Sequence, residues 1–274
     1  MRVNGRGSPV VAGGVFVYDR WENQLHAFDV TDGRHCWSTG EEFFRFSANS
    51  GWAPSVSGRT VYTVLGDALV ALDAASGDER WRFYPPRESS LAFGWRRDSG
   101  DPPRLHVPAV ADENVYLVSP DGFLFALRAE TGALLRQATI AEPDAGPVVG
   151  RDLVYVTSNR ETTPALTAFD RASGEVRWTL PYGGDPVLVT IRGGPVRYLA
   201  DAGALRAVDA ATGADLWSVP LEGETFTRAD AAGDQIFIAN NAGTVFSLID
   251  TDEIVQPPAA TPAAATPAGT PDAS

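Results

Sequence analysis

The sequence predicts an all-β chain: a β-propeller of about six four-stranded blades, followed by a disordered C-terminal tail. Three observations predict it. One eleven-residue pattern recurs along the chain, each copy follows the same series of short apolar runs, and no stretch sustains a helical apolar period.

The recurring pattern is A-x-D-x-x-x-G-x-x-x-W. It is carried by Ala27, Asp29, Gly33 and Trp37, then by Ala71, Asp73, Gly77 and Trp81. It returns in Ala168, Asp170, Gly174 and Trp178, and in Ala207, Asp209, Gly213 and Trp217. A fifth copy keeps Ala126 and Gly132 but has Arg128 for the aspartate and Arg136 for the tryptophan. The sixth, Ser247-Leu248-Ile249-Asp250, decays before its glycine. Aspartate bonds turn amides and glycine takes positive φ, so the stretch between them reads as a tight turn. Tryptophan is large enough to bridge to a neighbouring sheet, and its ring N–H needs a partner there. These motif residues are therefore read as structural.

Each copy has the same prelude. Pro9, Pro54, Pro108 and Pro147 each open a short apolar run, and an alternating run follows after a polar turn. Those second runs are Val15-Phe16-Val17-Tyr18, Val61-Tyr62-Thr63-Val64, Val115-Tyr116-Leu117-Val118 and Val154-Tyr155-Val156-Thr157. The fifth and sixth are looser, with Pro186 and Tyr198-Leu199, then Ile236-Phe237-Ile238. Short β-branched and aromatic runs bounded by glycine and aspartate are strand signals. Each unit then has strands A to D in one antiparallel meander, and such sheets set around an axis leave only short edges exposed.

The propeller is expected over residues 1–256 and a proline-, alanine- and threonine-rich tail over 257–274. Pro257 falls where the sixth tryptophan belongs. Two alternatives stay open: the sixth blade is incomplete, or these residues are part of a larger propeller. The net charge of −13 repels phosphate backbones and argues against nucleic acid. A single cysteine, Cys36, forbids an internal disulfide, and no apolar run is long enough to span a bilayer. A monomer is expected.

The repeated motif resembles the tryptophan-docking repeat of the pyrroloquinoline-quinone, or quinoprotein, propeller superfamily, over roughly residues 8 to 250. That superfamily includes quinone-dependent dehydrogenases, sensor propellers attached to kinases and the propeller lipoprotein of the barrel-assembly machine. The resemblance leans toward the non-catalytic members. It implies an exported or cell-envelope location if a leader precedes these residues, and a cytoplasmic one otherwise. In the dehydrogenases a tryptophan stacks on the quinone, and glutamate, asparagine and aspartate hold a calcium ion. Trp52 could stack, but no adjacent-cysteine pair exists and no such carboxylate set can be picked out. Nucleophile, zinc and phosphate-loop motifs are also missing. No cofactor is predicted, with pyrroloquinoline quinone plus calcium as the alternative.

What remains after the repeat is removed points to one face. The B–C turns and D–A crossings share a face, opposite the A–B and C–D turns. On it fall the long segments 39–51 and 84–105, the latter with Phe93, Trp95, Arg96 and Arg97. Trp21 and Trp52, like Trp95, lie outside the motif and map there too. Aromatic residues with arginine are the composition of interface hot spots, so Trp21, Phe93, Trp95, Arg96 and Arg97 are candidate partner-binding residues. The starts of the A strands place Ser8, Trp52, His106, Asp185 and Arg228 around the channel mouth. Of these, Trp52, His106, Asp185 and Arg228 are the candidates for binding a cofactor. The expected function is a non-catalytic scaffold that binds a protein; the alternative is a quinone- or metal-dependent oxidoreductase or a degenerate relative.

Overall fold

The computed structural model describes residues 9–20, 24–39, 54–86, 105–143, 145–158, 164–183, 187–190, 196–201, 204–220, 226–232, 235–240 and 244–249. These residues form antiparallel meanders and, among them, no helix. Blade 1 runs β1 (Val10–Ala12), β2 (Val15–Arg20), β3 (Gln24–Asp29) and β4 (His35–Thr39). Blade 2 is β5 (Ser55–Ser57), β6 (Thr60–Leu65), β7 (Ala68–Asp73) and β8 (Glu79–Phe83). Blade 3 is β9 (Ala109–Ala111), β10 (Asn114–Ser119), β11 (Phe123–Arg128) and β12 (Leu134–Thr139). Blade 4 is β13 (Val148–Val149), β14 (Leu153–Ser158), β15 (Ala165–Asp170) and β16 (Val176–Pro181). Blade 5 is β17 (Val187–Thr190), β18 (Val196–Asp201), β19 (Ala204–Asp209) and β20 (Asp215–Pro220). Blade 6 has three strands among the described residues, β21 (Phe226–Ala232), β22 (Gln235–Asn240) and β23 (Val245–Ile249). Residues 250–274, where a fourth strand of this blade would fall, lie outside the described residues.

The core lies between blades. One cluster joins Val17, Leu25, Ala27 and Trp37 of blade 1 to Val61, Val70, Leu72 and Ala74 of blade 2. The next joins Tyr62, Leu69 and Ala71 to Val115, Leu117, Phe125 and Leu127. Side chains alternate along each strand, so one sheet presents one residue set to the blade before it and the other to the blade after. The second and third strands have neighbours on both faces and are nearly all apolar; β6 and β7 are buried almost throughout. The fourth strand lies outermost and alternates, as in β8 and β16.

Every C–D pair from blade 1 to blade 5 breaks register at the same place, after Ala27, Ala71, Ala126, Ala168 and Ala207. The extra residue of this bulge turns the fourth strand so that the motif tryptophan stands opposite the motif alanine. The pairs are Ala27 with Trp37, Ala71 with Trp81, Ala168 with Trp178 and Ala207 with Trp217. A small side chain leaves the indole room to lie against its own sheet while reaching the next one.

The motif turn then closes in the same way in blades 1 to 5. Gly77 N–H donates to the Asp73 carbonyl at 2.8 Å, and Gly174 and Gly213 repeat the bond to Asp170 and Asp209. The aspartate carboxylate caps the turn: Asp170 accepts the amides of Ala172 and Ser173 at 2.9 and 2.8 Å. In blade 3 Arg128 cannot act as this acceptor, yet Gly132 still bonds its carbonyl at 2.8 Å. Backbone and glycine alone suffice for the turn.

Candidate functional site

The motif tryptophans dock as their size suggested. Trp37 Nε1 donates to the Ala74 carbonyl at 2.9 Å, Trp81 to Ala129 at 2.9 Å and Trp178 to Ala210 at 3.2 Å. Each acceptor belongs to the next blade, at the position after the motif aspartate or its replacement. The same indole covers the next blade's turn glycine. A Cβ on Gly77, Gly132 or Gly213 would stand 2.6–2.7 Å from the indole of Trp37, Trp81 or Trp178. These glycines thus answer to two constraints, a positive φ and a tryptophan on top; only the first was read from the sequence. Trp37 is buried, whereas Trp81, Trp178 and Trp217 are half-buried because the fourth strand is the outer edge of its sheet.

Buried tyrosines reinforce the same carbonyls. Tyr62 OH reaches the Ala129 carbonyl at 3.2 Å and Tyr155 OH the Ala210 carbonyl at 3.2 Å. By register Val17, not Phe16, is the blade 1 counterpart of Tyr62, since both pair with the motif alanine. Trp37 therefore docks without a tyrosine beside it.

The junction of blades 3 and 4 is built differently. Arg136 replaces the tryptophan, and its Nη1 donates to the Arg171 carbonyl at 3.4 Å. The Arg171 side chain turns back into the junction with only 13% of its side-chain surface exposed. Its Nε donates to Tyr116 OH at 3.0 Å, and Nη1 to the carbonyls of Gly150 and Arg151 at 3.3 and 2.6 Å. Nη2 donates to the Ala111 carbonyl at 3.3 Å and to Asp112 Oδ2 at 2.8 Å. All five guanidinium hydrogens have acceptors. Burial acts to lower the Arg171 pKa, but the bonds to Tyr116 and Asp112 outweigh it and hold the group above its ordinary value. Asp112 has φ +53, which non-glycine residues seldom adopt.

Beside this network is a cavity of about 580 Å³, lined by Val56, Val110 and Val149 with Asp112, Arg151 and Arg171. It lies where β5, β9 and β13 end at their A–B turns. Sequence reasoning missed it. A signal was present: Arg171 stands where the other copies have Val30, Ala74, Ala129 and Ala210, next to the junction where Arg136 replaces the tryptophan. The cavity offers one carboxylate, already tied to Arg171, whereas calcium takes about six to eight oxygen ligands. A quinone with calcium does not fit this cavity. Among the described residues no group of three or more His, Cys, Asp or Glu could hold a metal ion.

Of the residues predicted at the channel mouth, His106 is buried just before β9, and its backbone N–H donates to the Val118 carbonyl at 3.0 Å. Arg228 lies in β21 opposite Ala239, with its side chain outside what is described. Trp52 and Asp185 lie outside the described residues, as do Trp21, Phe93, Trp95, Arg96, Arg97 and the tail 257–274.

Known proteins share this pattern. A family model described as outer membrane protein assembly factor BamB matches residues 22–136 and 126–251. The outer membrane protein assembly factor BamB of Xanthomonas campestris pv. campestris is 27% identical over 295 residues, covering 87% of this chain and 70% of that protein. The quinoprotein glucose dehydrogenase of Escherichia coli is 25% identical over 163 residues, which is 47% of this chain but 20% of the enzyme. The crystal structure of BamB from Moraxella catarrhalis superposes with a TM-score of 0.65 at 20% identity, covering 89% of this chain and 70% of that one. With the family match spanning most of the chain and the tryptophan docking repeated from blade to blade, this chain belongs to the outer membrane protein assembly factor BamB family of quinoprotein-type propellers.

Proposed function

We propose that this chain is a non-catalytic propeller scaffold that binds a protein partner through the face carrying its B–C turns and D–A crossings. The observation that carries the reading is how the opposite face spends its turns. There the Asp170 carboxylate is engaged by its own turn amides, and Gly77, Gly132 and Gly213 lie under tryptophans. Turns committed to holding blades together have little left for a partner. The loops on the other face vary, and loops on a rigid scaffold are where recognition concentrates.

The relative from Xanthomonas campestris is named for outer membrane protein assembly, which favours a protein partner in the cell envelope over a small substrate. The acidic net charge of −13 disfavours nucleic acid. No helix among the described residues is long and apolar enough to cross a membrane. The test is a pull-down from envelope extract with the intact chain and with the Trp95→Ala/Arg96→Ala variant. Capture of a defined partner by the first and its loss in the second is expected; equal capture by both overturns this choice of face.

A further inference from the structure

The cavity at the A–B turns of blades 2, 3 and 4 has two unlike walls. One is apolar. Val56, Val110 and Val149 hold the same register place in their strands, opposite Val61, Val115 and Val154. Each packs on one side against the core between its own blade and the one before, and lines the cavity with the other. The strands β5, β9 and β13 run side by side, so the three valines make one surface.

The other wall is charged, and its charges are not equally engaged. Arg171 and Asp112 are paired at 2.8 Å, and every guanidinium hydrogen of Arg171 already has an acceptor. That pair adds neither net charge nor a free donor. Arg151 differs. Its backbone carbonyl accepts from Arg171 Nη1 at 2.6 Å, which fixes the turn, while its exposed guanidinium has no hydrogen-bond or ion-pair partner among the described residues.

Three valines beside one uncompensated cation describe a ligand with an apolar body and a single negative charge. A guanidinium takes a carboxylate through two parallel N–H···O bonds. A phosphate dianion would meet the Asp112 carboxylate with only one free guanidinium to offset it. The cavity, of about 580 Å³, falls within the roughly 300–1,000 Å³ of small-molecule sites.

We propose that this cavity binds an aliphatic monocarboxylate, with its carboxylate on Arg151 and its chain against Val56, Val110 and Val149. The Arg171–Asp112 pair holds the wall in place. The site uses the A–B turns alone, so its failure and the failure of the protein-binding reading are separate results.

Butanoate, hexanoate and octanoate are titrated into the full 274-residue chain by calorimetry. One site is expected, tightening about three- to fourfold per added methylene until the valines are covered. Hexan-1-ol, which lacks the charge, should bind at least about tenfold more weakly than hexanoate. Arg151→Gln should weaken hexanoate about tenfold or more, and Arg34→Gln, an exposed arginine of the blade 1 motif turn, should not. Ser57→Glu, which adds a second carboxylate to the lining, is the second variant. Arg151 and Ser57 are both exposed, so folding should survive, and melting curves check this. Absence of binding, which a segment of this chain lodged in the cavity would also give, overturns the proposal. So do equal affinities along the series, equal weakening by Arg34→Gln, or full binding by both Arg151→Gln and Ser57→Glu.

Discussion

The indole of Trp81 lies over Gly132 of the next blade, 2.6 Å from where a Cβ would stand, while its Nε1 bonds the Ala129 carbonyl at 2.9 Å. One residue thus fixes both the spacing and the rotation of two sheets. The glycine is confined from two directions, by its φ of +70 and by the ring above it.

Comparing two glycines separates those constraints. Gly33→Ala meets only the backbone strain of its φ of +71 and should cost about 1 kcal/mol. Gly132→Ala meets the same strain and must also displace the indole, so about 2–4 kcal/mol is expected. Urea midpoints of the two variants test this. Equal losses would mean that the indole moves aside freely.

How much of this was legible follows from what each residue contacts. Asp73 and Gly77 act within their own turn, so their spacing alone announced the turn. Trp37 acts across blades, and its size gave the need for a neighbour without identifying Ala74 or Gly77 as the contact. Arg171 was illegible because its five acceptors come from Tyr116, Ala111, Asp112, Gly150 and Arg151, up to sixty residues away in sequence. None of those six residues is a fixed position of the motif, and Tyr116 was noted only as a strand residue. Local spacing reports local chemistry; convergence across blades needs the fold.

The junction of blades 3 and 4 should be improvable. Gly174 leaves room for an indole, since Arg136 Cδ comes no nearer than 3.4 Å to its Cβ position, and Ala126 stands opposite Arg136. Arg136→Trp is expected to stabilise the chain by about 1 kcal/mol, the usual gain from restoring a consensus residue. Arg171→Ala leaves the buried Tyr116 hydroxyl and several carbonyls without their donor and should cost about 2–4 kcal/mol. Thermal or urea unfolding of both variants checks the signs. A destabilised Arg136→Trp would show that Arg171 occupies the space an indole needs.

Acid should weaken the turns in a definite window. The Arg80 side chain, at 2.6 Å, and the amides of Ala75 and Ser76 hold the Asp73 carboxyl down at about 2, from an ordinary 3.8. Asp209, bonded by the Thr212 hydroxyl, and Asp170, bonded by the Ser173 amide, are lowered as well. A depressed carboxyl stabilises the fold fully above its unfolded pKa, and that contribution is lost as pH falls toward the folded value. For Asp73 the loss runs from about pH 4 down to about pH 2. Melting temperatures of Asp73→Asn should therefore fall less steeply than those of the parent over that range. Parallel curves would show that the carboxylate contributes nothing.

Cofactor binding has a direct test. Pyrroloquinoline quinone with calcium is expected to leave the melting temperature unchanged, whereas a ligand that bound the folded state selectively would raise it by mass action. A clear rise that disappears in Asp185→Ala would identify a quinone site at the channel mouth and make the oxidoreductase reading correct.

The partner should dock on the loop-rich face. By the strand order read from the sequence, both long segments between blades, 39–51 and 84–105, belong to that side of the meander, with Trp21, Trp52 and Trp95, which lie outside the described residues. The other side has short Asp-to-Gly turns whose polar atoms are already bonded within the turn. Uniform turns give a partner little to distinguish, whereas Phe93, Trp95, Arg96 and Arg97 offer aromatic area with charge at its rim. Trp95→Ala combined with Arg96→Ala should weaken binding by about 2 kcal/mol or more, the scale of a hot spot. Stability should change little, since the interblade clusters are built from Val, Leu, Tyr and Trp of the strands. Charge reversal at Asp78 and Glu175, both exposed on the motif-turn face, should weaken binding much less. Titration calorimetry with the captured partner decides it: loss of binding in the turn variant and full binding in the loop variant would move the interface to the opposite face.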